Sequence, residues 1–193
     1  MTDPETIARD RSRAQALLEE WIGSDALRRH CRAVEIVMRA YAQDLGEDAD
    51  AWGTVGLLHD FDWERHPTLE QHPADGEPVL AEDGYPEWFR RAILSHADHT
   101  GVERRTPLEH HLFAADELSG FVYACALMRP TRIDGMEPSS VRKKMKDKRF
   151  AANVSRDDIT AGAAGIGRDL NDHIAFVIAA LTPHADELGL SPS

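Results

Sequence analysis

The sequence contains no apolar run long enough to cross a bilayer. The longest, Ile174 to Leu181, is far short of the roughly 20 residues a spanning helix needs. The opening Met1-Thr2-Asp3-Pro4-Glu5 is acidic and lacks the apolar core of a signal peptide. Positive charge is scarce: 22 lysines and arginines stand against 34 aspartates and glutamates, a formal net charge of −12. That balance excludes a general affinity for nucleic acid polymers or anionic membrane, since both repel an acidic surface. It leaves room for a small phosphorylated ligand, which needs only a local cationic pocket. Cysteine is nearly absent. Cys31 and Cys125 both fall in apolar helical contexts and are read as reduced core residues of a cytoplasmic protein rather than as a disulfide. Strand-like alternation, internal repeats and linkers are also missing, so the chain reads as all-α and as one domain.

What is present is helical periodicity with clear punctuation. Residues 5 to 22 carry Ile7, Ala14, Leu17, Leu18, Trp21 and Ile22 and predict one helix stopped by Gly23. Ser24 or Asp25 caps a second, from about 25 to 45, in which Leu27, Cys31, Val34, Met38, Tyr41 and Leu45 recur at steps of four and three. A third covers roughly 49 to 59. Residues 61 to 85 hold Pro67, Pro73 and Pro78 and admit only a short helical turn near Val79-Leu80; long irregular stretches in compact proteins are often functional. Pro86 starts a helix ending near His96. Thr106-Pro107-Leu108-Glu109 is a capping sequence for a long apolar helix reaching about Met128. Ser155 to Asp158 is a further capping box, opening a final helical region through about 187 that is interrupted by glycines at 162 to 167.

Chemistry concentrates where the apolar run Val55-Gly56-Leu57-Leu58 ends in His59-Asp60. Neighbours on a helix diverge by about 100°, so such a pair converges on one site most easily at a helix end. Imidazole and carboxylate together suit iron, manganese, zinc or magnesium. Around the pair stand His30, His72, His96 and Asp116, the last inside the long apolar helix, where an aspartate is costly unless paired or bound to metal. His66 rivals His72, which is preferred for its spacing to Gly76. His99, His110 and His111 are read as solvated. Asp62, Glu64 and Asp98 are equal candidates for orienting a ligand ring or moving a proton. The segment Arg142 to Arg149 holds six basic residues and one acidic, opposite in sign to the whole chain. It reads either as a solvated helix face or as a cationic wall for a substrate phosphate, with Lys143, Lys144 and Lys146 as contacts and Arg129 and Arg132 as similar candidates.

In order, His30, His59-Asp60, His72, His96 and Asp116 resemble the HD-domain superfamily of metal-dependent phosphohydrolases, and the loop after His59-Asp60 looks closest to small bacterial HD hydrolases. Leu27-Arg28-Arg29-His30 looks like the first histidine segment, Gly56-Leu57-Leu58-His59-Asp60 like the namesake motif, and Ala114-Ala115-Asp116-Glu117-Leu118-Ser119-Gly120 like the terminal aspartate. His72-Pro73-Ala74-Asp75-Gly76 and Ala92-Ile93-Leu94-Ser95-His96 are similar to the two segments that make the site binuclear, with Asp60 bridging. The resemblance implies an HD-type helical bundle with its core at about 25–128 and a C-terminal helical extension at about 138–187. It also implies one or two divalent metal ions, iron or manganese first, with magnesium, zinc or nickel also suited. The implied activity is hydrolysis of a phosphoester or phosphoanhydride in a nucleotide or other small phosphorylated metabolite, with His59 and Asp60 at its catalytic centre. A second reading, a di-iron oxygenase on the same fold, shares the ligand set; a third is a nucleotide-binding regulatory module without turnover, against which the occupation of all six ligand positions argues. The oligomeric state is left open.

Overall fold

The computed structural model describes residues 2–192. All secondary structure among them is helical, as the periodicity predicts. The chain divides into two compact units, one running to Leu112 and the other beginning at Phe113.

The first unit contains α1 (Pro4–Ile7), α2 (Arg11–Trp21), α3 (Asp25–Leu45), α4 (Ala49–Leu58), α5 (Glu77–Glu82), α6 (Glu87–Ser95) and the start of α7 (Pro107–Leu127). The single helix expected over 5 to 22 is two. Asp10 accepts a hydrogen bond from the Arg13 amide at 3.0 Å and so opens a fresh helix, a local side-chain bond competing with the continuing ladder. Helix α3 starts at Ser24, whose hydroxyl accepts from the Leu27 amide. It stops at Gly46, which takes the left-handed conformation (φ +74°) that a side chain would resist.

Helix α4 is buried from Ala51 through Leu58. It lies against α3, and its glycines make the approach close: a Cβ on Gly56 would stand 3.0 Å from the Val34 carbonyl oxygen. Beside this contact Glu35 is wholly buried yet carries three arginines, Arg11 at 2.7 Å, Arg32 at 2.8 Å and Arg39 at 3.0 Å. The charges offset its burial. His111, expected in solvent, is buried. Its ring packs against Tyr41 and Trp52, and its Nδ1 donates to the Pro107 carbonyl. The partners that cover it come from α3 and α4, remote in sequence.

The second unit holds the rest of α7, then α8 (Pro138–Met145), α9 (Arg156–Gly165), α10 (Leu170–Leu181) and α11 (Ala185–Leu188). Ser155 caps α9 through the Asp158 amide, as its sequence predicts. Gly162 lets α9 cross α7 closely, since a Cβ there would come 2.7 Å from Ala114 Cα. The buried His173 donates from Nε2 to the Ala114 carbonyl at 2.9 Å. Arg156 lies over the Phe121 ring and donates to the carbonyls of Asp147, Phe150, Ala151 and Val154, tying down the turn before α9. No helix among the described residues is long and apolar enough to cross a membrane.

Candidate metal centre

The first unit brings His30, His59, Asp60, His72 and His96 together. Asp60 is common to two groups: with His30 and His59 it offers ligand atoms within 4.8 Å of one another, and with His72 and His96 it does so again. Its two oxygens divide between them. Oδ2 lies 3.6 Å from His30 Nε2 and 3.5 Å from His59 Nε2, whereas Oδ1 lies 3.3 Å from His72 Nε2 and 3.4 Å from His96 Nε2. Within each pair the nitrogens are 3.1 Å and 3.3 Å apart.

These separations fit metal ligation. Ligands about 2.1 Å from one ion sit about 3.0 Å apart in an octahedron and about 3.4 Å apart in a tetrahedron. Four histidines and a carboxylate are also the donor types of iron, manganese and zinc sites.

Local structure fixes the ring orientations. His59 and His96 each stand at the C-terminal end of a helix, α4 and α6. Each donates its Nδ1 proton to the carbonyl three residues back, His59 to Gly56 at 2.8 Å and His96 to Ile93 at 2.5 Å. A carbonyl only accepts, so Nδ1 carries the proton and Nε2 is left to face Asp60. The sequence device is the same in both: a histidine at the end of a helix, whose ring reaches back to a carbonyl of the last turn. His72 has no helix behind it. Its Nδ1 lies 2.8 Å from Asp62 Oδ1 instead.

Burial is uneven. The side chains of His59, His72 and His96 are at most 5% exposed, whereas those of Asp60 and His30 are 17% and 22% exposed, so solvent reaches the site on their side. The electrostatics suit a cation. Burial would raise the Asp60 carboxyl, but His59, His72 and His96 outweigh it and hold the group well below the usual carboxylate range. Burial would likewise lower His72, yet Asp60 and Asp62 push it up to about 9. A carboxylate and a protonated imidazole thus face each other where a cation would neutralise the one and displace the proton of the other.

The structure separates the three acids that the sequence leaves equivalent. Asp62 reaches His72. Glu64 accepts from the Gly23 and Ser24 amides at 2.6 and 2.8 Å, at the start of α3, and Asp98 pairs with Arg104 at 2.5 Å. His66 stays apart from the cluster, 3.9 Å from Asp75 and against Trp21. His99 donates from Nε2 to the His72 carbonyl at 2.7 Å. Trp63, which sequence reasoning passed over, sets its ring at 88° to that of His72, 4.8 Å between centres, and is 36% exposed. The only signal for it was its place one residue after Asp62.

The remaining candidates lie in the second unit. Asp116 is half-buried on α7. Arg129 donates to the carbonyls of Arg132 and Gly135, and Arg132 to that of Leu127, so both close the turn after α7. Lys143 and Lys146 are exposed, and Lys144 lies over the Phe150 ring.

A family model described as HD domain matches residues 27–120, and the chain carries an HD domain over that span. HD domains bind divalent metals and are mostly metal-dependent hydrolases. The matched span contains every histidine and aspartate of the cluster. No curated protein and no solved structure matches the chain.

Proposed function

We propose that the protein is a binuclear metal-dependent phosphohydrolase acting on a nucleotide or another small phosphorylated metabolite. The observation that carries this reading is the split of Asp60, whose two oxygens each face a separate pair of histidine Nε2 atoms. His30 and His59 would hold one ion, His72 and His96 the other, with Asp60 between them and Asp116 completing the first by the family pattern. When bound, a pair of divalent ions would supply an activated water and a clamp on the phosphoryl oxygens.

The chain's own residues do the rest. Asp60, held ionised, keeps the two halves in register. The His59 and His96 rings stay fixed by their helix-end carbonyls, so no reorganisation is needed as charge develops. The buried rings keep water from all but the Asp60 and His30 side. Lys143, Lys144, Lys146 and Arg129 belong to the same proposal as contacts for the substrate's phosphate charge.

The test is metal content and turnover together. Protein purified without chelator should contain about two iron or manganese ions per chain and hydrolyse a generic phosphoester on addition of Mn²⁺, and Asp60→Ala should lose both ions and turnover. Turnover retained in Asp60→Ala would overturn the proposal. Oxygen consumption by a di-iron form without phosphoester hydrolysis would transfer the site to the oxygenase reading.

A further inference from the structure

We infer that Asp62 is the positioning residue for the second metal ion, acting through His72, and that Gly76 is the position that admits it. The inference rests on the reading of the cluster as a binuclear centre.

Three of the cluster's histidine nitrogens have identified anchors, and only one of those anchors is a side chain. His59 and His96 sit at helix ends and use main-chain carbonyls, which come with the fold. His72 sits in the irregular segment between α4 and α5, where no helix offers a carbonyl to its ring. Something else must hold its Nδ1 proton if Nε2 is to face Asp60 and His96. Asp62 does so at 2.8 Å, and it is itself wholly buried.

Burying a carboxylate is costly, and a purely structural one recovers the cost from main-chain amides, as the buried Glu109 does at Arg105 and Thr106. Asp62 has no such amides. Its Oδ1 is given to His72, and its Oδ2 has no hydrogen-bond partner. The contact with His72 is therefore the one that compensates its charge. A carboxylate in this place does two things to an imidazole ligand: it fixes tautomer and ring plane, and it makes the metal-facing nitrogen more basic.

Gly76 supplies the second, independent observation. A Cβ on it would fall 2.7 Å from Asp62 Cγ and 2.8 Å from both Cβ and Oδ2. Contacts under 3 Å force movement, and here the neighbour that must move is the buried carboxylate. The backbone at Gly76 is right-handed helical (φ −78°, ψ −28°), which any residue adopts, so the glycine is required by space and not by conformation. A side chain at position 76 would displace Asp62 from His72.

Titration of metal-free protein with Mn²⁺, read by calorimetry for stoichiometry and stepwise affinity and by electron paramagnetic resonance for exchange-coupled ion pairs, tests this. Wild type should bind two ions. Asp62→Ala and Gly76→Ala should bind the first ion at wild-type affinity and the second roughly 10–100-fold more weakly, with loss of the coupled signal. Asp62→Asn keeps an acceptor and should fall between; it carries the comparison if Asp62→Ala does not fold, as judged by circular dichroism. Two ions at wild-type affinities in these variants, or equal weakening of both ions, would overturn the inference while the binuclear reading stands. A single ion in wild type would overturn the binuclear reading and this inference with it, before any variant is made.

Discussion

Asp60 Oδ1 lies 3.3 Å from His72 Nε2, so a carboxylate held below its usual range faces an imidazole raised to about 9. Near neutral pH the metal-free site is therefore an internal ion pair. A cation entering it must displace the proton on His72. On the proposed binuclear reading, binding of the ion at His72 should release about one proton between pH 7 and 8, falling to about half a proton at pH 9. The apparent affinity for that ion should rise about tenfold per pH unit until it levels near 9. Calorimetry in buffers of different ionisation enthalpy measures the proton count directly. A count near zero at pH 7.5 would contradict the raised His72.

The same pair sets the stability of the metal-free protein, and the sign follows from the direction of the shift. His72 binds its proton more tightly folded than unfolded, so its contribution is complete below the unfolded value of about 6.5 and is lost as pH rises through about 9. The shift corresponds to roughly 3 kcal/mol. Urea unfolding with chelator present should show stability falling from pH 6.5 to 9 and then flattening. Replacing His72 by Gln should remove most of that slope. The Asp60 side of the pair works in the opposite direction, its contribution being lost only in acid.

Glu35 is a wholly buried charge of the first unit, paired with arginines rather than with the histidine cluster. Its carboxylate gathers Arg11, Arg32 and Arg39, whose side chains are 41%, 21% and 21% exposed. After Glu35→Gln the arginines can turn to solvent, so the cost is the loss of charge-assisted hydrogen bonds rather than of a stranded ion. Destabilisation of about 2–3 kcal/mol is expected, with metal stoichiometry unchanged. Denaturant midpoints together with elemental analysis decide it, and loss of metal would tie Glu35 to the site.

Much of this arrangement is legible in the sequence. Ligand types are few, and a histidine or aspartate that closes an apolar run, as His59, Asp60 and His96 do, marks a helix end where a side chain can turn inward. What cannot be read is which of several equivalent groups meets a partner far along the chain. Asp62, Glu64 and Asp98 share one local context and differ only in what tertiary structure sets beside them: His72, the start of α3, and Arg104. His111 has the sequence surroundings of a surface residue and is buried by rings from two other helices. The break between α1 and α2 carries no glycine or proline and depends on one capping bond from Asp10.

The glycines give a last discrimination between space and conformation. At Gly162 the obstruction is the α7 backbone itself: a Cβ there would stand 2.7 Å from Ala114 Cα, and a helix backbone cannot rotate aside. At Gly46 nothing lies within 4 Å, but φ is +74°. Gly162→Ala should therefore force α9 away from α7 and cost about 1–3 kcal/mol, the range for overpacking a close contact. Gly46→Ala should cost about 1–2 kcal/mol through left-handed backbone strain alone. The two separate on introducing a residue that tolerates the left-handed region. Gly46→Asn should cost less than Gly46→Ala, because asparagine accepts that conformation, whereas Gly162→Asn should be worse than Gly162→Ala. Thermal unfolding of the four variants provides the comparison, and a milder effect of Gly162→Asn than of Gly162→Ala would show that α9 and α7 are not in close contact there.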